Sequence, residues 1–245
     1  MLTRLDHLVI LVSDLDVAAA DYERLGFTVT PGGEHADGLT RNALIPFDDG
    51  SYFELVSFLD PEDPTDNVWG WRAFLPREGL VDYCAASDDL GADVRRLRSL
   101  GLGVDGPDDG GRRLPDGEEI RWRSARMRQK GRLLPFLIKD LTPREWRVPG
   151  GTATEHPNGA TDLTRLEISV PDVQEATASL VTLVETRDIA GDSVRLGACT
   201  LSPVERGDAP PGPMAVELEG EVVGSRELDP LLTHGVGIRL QSSEG

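Results

Sequence analysis

With 245 residues, 39% of them apolar, and no uninterrupted apolar run of 18, the chain has the composition of one or two packed globular units and not of a membrane protein. Forty-three acidic residues against 25 basic ones give a formal charge of −18, which repels a phosphate backbone and argues against nucleic acid as a general partner. The opening MLTRLDHL has neither the cationic lead nor the apolar segment of a targeting peptide, so the cytoplasm is the expected location. Cys84 and Cys199 sit in apolar surroundings that suit reduced thiols better than a disulfide.

The first element, within LDHLVILVSDLDVAAADYERLGF (residues 5–27), starts as an extended apolar run. Strict alternation places Leu5, His7, Val9 and Leu11 on one face and Asp6, Leu8, Ile10 and Val12 on the other. Ser13 and Asp14 are good helix N-caps. Leu15, Ala18, Tyr22 and Leu25 then recur at helical spacing until Gly26 stops the helix. Strands follow in FTVTPGG, LTRNALIPF and SYFELVSF. His35 falls in the loop between the first two, as a polar rim contact or a loop cap. Asn42 shares a strand face with Thr40 and Leu44, where an inward amide orients a substrate oxygen. Glu54 shares its face with Tyr52, Val56 and Phe58, and a carboxylate there needs a partner or a proton.

Residues 61–78, PEDPTDNVWGWRAFLPRE, form a connector in which Trp69 and Trp71 read as a packing staple or an aromatic wall. Sliding the opening segment forward by 75 positions then lays Leu5 on Leu80, Asp14 on Asp89, Leu25 on Leu100 and Gly26 on Gly101 without a gap. The second copy continues into strands in EIRWRSARM and LLPFLIKDL. Its counterpart of His7 is Asp82. The basic stretch RWRSARMRQKGR (residues 121–132) reads as a solvated strand edge or as a cationic rim for an anionic small molecule, and one of Trp122 and Arg123 must face inward.

After the Gly- and Thr-rich VPGGTATEHPNGATD (residues 148–162), a fainter third copy aligns Asp172 with Asp89, puts Arg165 at the His7 position and lacks the stopping glycine. His156, before a proline, is turn punctuation or part of a lid over the cavity. Residues 205–213 and the tail at 243–245 read as exposed loop or terminus, and His234 as a strand-end histidine.

The fold class expected is α+β, built of repeated βαβββ modules. Residues 1–60 and 79–147 pair into a half-barrel, and 148–245 supply a linker and a third, degenerate module that packs on the pair or meets a second copy in a homodimer. His7 and Glu54 project into the shared hollow. There they bind a divalent ion, with Asp82 as a third donor, or they pair with each other or with a polar ligand. As an enzyme, the chain would use Glu54 to move a proton on a small oxygenated substrate, with His35, Asn42, Arg123 and His156 as candidate substrate contacts. As a binding protein it would sequester its ligand without metal. No nucleotide cofactor is expected.

LDHLVILVSDLD, GGEHADGLTRNALIPF and SYFELVSF, with LPFLI and HPNGA further on, together resemble the glyoxalase-like domain family of the vicinal oxygen chelate superfamily, over residues 3 to about 180. The resemblance implies βαβββ modules around a cavity and a divalent metal (Fe, Mn, Zn, Ni or Co) that holds vicinal oxygens in lyases, isomerases or dioxygenases. It also implies metal-free relatives that sequester antibiotics. On this resemblance His7 and Glu54 match metal-ligand positions, and Asp82 matches one in place but not in residue type.

Overall fold

The computed structural model describes residues 1–243 except 115–116, 130, 186–188 and 207–210. Part of the loop read at 205–213, Lys130 of the basic stretch and the end of the tail therefore lie outside the described residues. The first unit contains β1 (Leu2–Leu11), α1 (Leu15–Arg24), β2 (Thr30–His35), β3 (Thr40–Pro46) and β4 (Tyr52–Phe58). The second contains β5 (Gly79–Ser87), α2 (Leu90–Ser99), β6 (Val104–Arg113), β7 (Glu119–Met127) and β8 (Phe136–Asp140). Both helices start as the shared sequence predicts. The Asp14 carboxylate accepts from the backbone N–H of Asp16 and Val17, that of Asp89 from Ala92, and Gly26 and Gly101 end the two turns at φ 85° and 86°.

The two sheets join at both edges, closing eight strands in the order β1-β4-β3-β2-β6-β7-β8-β5. One seam is long: β1 runs antiparallel to β5 with His7 opposite Cys84 and Val9 opposite Asp82. That register is consistent with a two-fold relation and a shift of 75, which exchanges the two pairs, since Asp82 stands in for His7 and Cys84 for Val9. The other seam is short, with Glu34 opposite Arg113 and His35 opposite Arg112.

Inside the barrel Val9, Leu11, Val56, Phe58, Phe136 and Trp71 pack together. Trp71 opens a 3-10 segment (Trp71–Arg77), so the connector folds into the second unit's half of the interior. Outside, Leu8, Ile10 and Val12 pack beneath α1 and toward the rest of the chain. Leu5 joins this outer group and not His7's face. The register slips between Leu5 and His7, and this bulge at Asp6 breaks the alternation read from the sequence.

Beyond the barrel lie the short α3 (Arg144–Arg147) and β9 (Ala160–Val170), α4 (Val173–Val184), β10 (Ile189–Ala190), β11 (Ser193–Leu196) and β12 (Cys199–Glu205). Last come β13 (Gly212–Gly220), β14 (Ser225–Glu227) and β15 (Gly237–Ser242). They form a seven-stranded sheet ordered β10-β11-β12-β9-β13-β15-β14. Its first half repeats the order of the first unit, with Asp172 capping α4 and Glu185, at φ 57°, in place of the missing glycine. Within the segment read as one degenerate unit, β13, β14 and β15 repeat the pairing of β5, β7 and β8 without an intervening helix. Leu166, Ile168 and Leu180 share one apolar core with Leu8 and Ile10, so this sheet packs on the barrel. No helix is long and apolar enough to cross a membrane among the described residues.

Candidate functional site

A cavity of about 240 Å³ opens into the first unit's half of the barrel, with His7, His35, Asn42, Tyr52, Glu54 and Arg112 among its lining and Trp69, Trp122 and Phe136 as aromatic walls. The bulge in β1 brings two consecutive side chains to this floor. His7 Nδ1 lies 2.8 Å from Asp6 Oδ1, and the imidazole stacks on Tyr52 at 4.7 Å between centroids. Asp6 is fully buried and gripped by a guanidinium fork: Arg147 donates from Nη1 to Oδ1 at 2.9 Å and from Nη2 to Oδ2 at 3.1 Å. Arg144 adds a third contact at 2.5 Å. Burial alone would raise the Asp6 carboxyl, but Arg147, His7 and Arg144 together hold it well below the ordinary range. Arg147 also donates to Asp140 and to the Tyr52 hydroxyl; burial works against its charge, and Asp6, Tyr52 and Asp140 together overcome burial and push its pKa up.

Glu54 faces His7 from β4. Its Oε2 lies 3.5 Å from His7 Nε2, and its Oε1 lies 3.3 Å from His35 Nε2 and accepts the Asn42 amide at 2.5 Å. Burial again works against the charge, and the bonds from His35 and Asn42 with the charge of His7 overcome it, holding Glu54 at about 2. His35 ends β2 and is not in the loop expected from the sequence. The Thr40 hydroxyl lies 2.8 Å from its Nδ1 and fixes the ring. Tyr52 keeps its phenolic proton, because burial pushes its pKa well above 10.

Four of the residues singled out in the sequence, His7, His35, Asn42 and Glu54, thus meet at one floor, and three do not reach it. Asp82 faces inward at the two-fold counterpart of His7 but is enclosed by the connector. It accepts from Trp71 Nε1 at 3.1 Å and lies 3.3 Å from Arg132 Nη1, and its carboxyl is raised by burial in spite of that arginine. Arg123 points away from the cavity and pairs with Asp109 at 2.8 Å, because alternation along β7 turns Trp122 and Ser124 inward instead. His156 pins a turn: its Nδ1 accepts from the Thr28 N–H at 3.0 Å, its Nε2 lies 3.0 Å from the Pro46 carbonyl oxygen, and burial lowers its pKa.

As placed here, the donors expected from the sequence for a divalent ion do not converge on one point. Glu54 reaches the two imidazoles with different oxygens, and Asp82 is engaged elsewhere. Among the described residues, the group of three whose donor atoms converge within 4.8 Å is Asp6, His7 and Cys84. Its carboxylate already serves two arginines, and burial pushes its thiol well above the ordinary range.

Sequence reasoning passed over Asp6, Tyr52, Arg112 and Arg147. Asp6 was assigned to the outer face by an alternation that the bulge interrupts. Arg147 comes from the segment after β8, outside the repeating pattern. Arg112 did carry a signal: a shift of 78 lays Gly32 and Gly33 on Gly110 and Gly111, and so Glu34 on Arg112.

The family model described as Glyoxalase-like domain matches residues 5–184. No curated protein matches the chain. Among solved structures, a hypothetical protein from Staphylococcus aureus is 14% identical, with a TM-score of 0.80 over 98% of this chain and 99% of that one. A mutant of 4-hydroxymandelate synthase from Streptomyces coelicolor is 11% identical, with a TM-score of 0.63 over 100% of this chain and 94% of that one. Methylmalonyl-CoA epimerase from Streptomyces coelicolor, in complex with 2-nitronate-propionyl-CoA, is 24% identical over 58% of this chain and 100% of its own, with a TM-score of 0.43. The first two likenesses establish a shared fold.

Proposed function

The chain belongs to the glyoxalase-like domain family of the vicinal oxygen chelate superfamily, and from that premise we propose that it is a proton-transfer enzyme of the isomerase or lyase type, acting on a small carbonyl compound without a resident metal. The observation that carries this reading is the buried line from Asp6 through His7 to Glu54. A carboxylate stands 2.8 Å from one nitrogen of the imidazole and 3.5 Å from the other. With a carboxylate oxygen facing each ring nitrogen, His7 is placed to pass a proton to a carbonyl oxygen, with the Tyr52 hydroxyl as a second donor.

The acid and the base are coupled. While His7 is charged, that charge helps keep Glu54 near 2, too weak to take a proton from carbon. As the His7 proton passes to the substrate oxygen, the restraint disappears and Glu54 gains basicity. Glu54 then accepts the proton from the carbon beside the carbonyl. The C–H electron pair becomes the C=C bond of an enol; the enol O–H proton then goes back to His7 as the carbonyl re-forms, while Glu54 returns its proton to carbon, completing isomerisation, or gives it to a leaving group departing from the next carbon, completing elimination. Arg147 and Arg144, by fixing Asp6, keep His7 aimed.

The test is hydrogen exchange. A panel of small aldehydes, ketones and 2-oxo acids in D2O, followed by proton NMR, is expected to lose C–H signal next to the carbonyl faster with the protein than in buffer, unchanged by EDTA. Glu54→Gln and His7→Gln should each slow the exchange by about 10²- to 10⁴-fold. Exchange that vanishes with EDTA and returns with a divalent ion refutes the metal-free reading. Ligand-dependent stabilisation without exchange in any member points instead to a binding protein that sequesters its ligand.

A further inference from the structure

Arg112 differs from the other guanidiniums at the cavity floor. Arg144 and Arg147 share Asp6 and Asp140, and Arg4 lies 3.8 Å from Asp6. Arg112 is 4% exposed and meets only carbonyl oxygens: Nη1 donates to Asn42 Oδ1 at 3.2 Å and Nη2 to the Arg147 backbone oxygen at 2.8 Å. Its Nε is buried with no acceptor, and among the described residues the guanidinium has no carboxylate partner. Burial weighs against this cation more than the charge of Glu54, beyond Asn42, supports it, and an anion brought in by a ligand corrects the deficit. The position is also built. A Cβ on Gly32 would stand 2.0 Å from Asn42 Oδ1 and 2.9 Å from Arg112 Nη1, so the bare glycine makes the Asn42–Arg112 contact possible.

We propose that the molecule the cavity takes is a small organic acid whose carboxylate lies against Arg112. This names the substrate class of the proton-transfer site and rests on that reading for the placement of the carbonyl beside His7 and Glu54. Asn42 connects the two ends, because its amide N–H reaches Glu54 while its oxygen faces Arg112, so a ligand anchored at Arg112 has its next carbons close to the acid and base. A carboxylate suits one guanidinium, whereas a phosphate dianion calls for more than one cation and would stand near ionised Glu54. Asp37, Asp108 and Asp109 line the cavity together with Arg126, so acids outnumber bases at its mouth and selection for an anion comes from the buried arginine. Trp69, Trp122 and Phe136 supply flat apolar walls for the rest of a compact acid.

The full chain is tested by thermal unfolding at constant ionic strength with benzoate, phenylacetate and 2-oxobutyrate, each against its uncharged amide, and with phenyl phosphate. The acids are expected to raise the midpoint and the amides to leave it unchanged. Arg112→Gln should remove the response to acids, and Arg112→Lys, which keeps the charge without the planar fork, should weaken binding about tenfold and serves if the glutamine variant fails to fold. Glu54→Gln should retain the response. Equal shifts from acids and amides, an undiminished response in both Arg112 variants, or a larger shift from phenyl phosphate than from benzoate overturns the proposal. Acid binding without catalysed exchange refutes the proton-transfer reading alone. Exchange into neutral carbonyl compounds as fast as into their acid analogues refutes the carboxylate assignment alone.

Discussion

Glu54 stays ionised in the folded protein down to about pH 2, whereas in the unfolded chain it takes up its proton near 4.5. A depressed folded value means that the unfolded chain binds protons first, so stability is full above about pH 4.5 and declines as the pH falls toward 2, by about 3 kcal/mol from this group. Asp6, also held well below its ordinary value, adds to the loss below about pH 4. Urea unfolding across that interval is expected to show the decline in the wild type and a shallower one in Glu54→Gln, where only Asp6 and the remaining acids titrate. His7 and Glu54 were legible at this scale because a charged residue at an inward strand position is conspicuous. Arg147 was not, because its role depends on a turn that folds back onto β1, and no periodicity in the sequence records that return.

Among the elements, the repeat was the strongest signal in the sequence. Asp14, Asp89 and Asp172 cap three helices, as the aligned copies predict. Three features escaped it, each for a physical reason. The bulge at Asp6 depends on pairing with a distant strand, the short seam places His35 on β2 instead of in a loop, and the connector enters the barrel because Trp71 finds a polar partner there in Asp82. The glycine doublets show what local sequence can still reveal. Gly32→Ala would push a methyl group into Asn42 and Arg112, and is expected to cost about 1–3 kcal/mol in urea unfolding through steric overpacking. Because it disturbs the same contact that presents Arg112, it should also blunt the thermal response to benzoate.

For the whole molecule, the barrel and the second sheet behave as one body, since Leu8 and Ile10 share a core with Leu166, Ile168 and Leu180. Specific contacts reinforce it: the Tyr22 hydroxyl donates to the Thr233 carbonyl at 3.1 Å, Arg96 donates to the Thr182 and Leu183 carbonyls at 3.0 and 2.7 Å, and the Asn158 N–H donates to the Gly26 carbonyl at 2.9 Å. A fragment of residues 1–150 would expose that apolar surface, and is expected to lack the cooperative thermal transition of the full chain when both are followed by circular dichroism. That outcome would make the boundaries read at 61–78 and 148–162 divisions between repeats and not between independently stable pieces.

A barrel assembled from two related halves begins with two equivalent floors, one around His7 and one around Asp82. Trp71 stoppers the second and, with Arg132, occupies its carboxylate. Duplication has therefore not doubled the valence: saturation should come at one equivalent of ligand per polypeptide, with a simple hyperbolic isotherm and no communication between paired chambers.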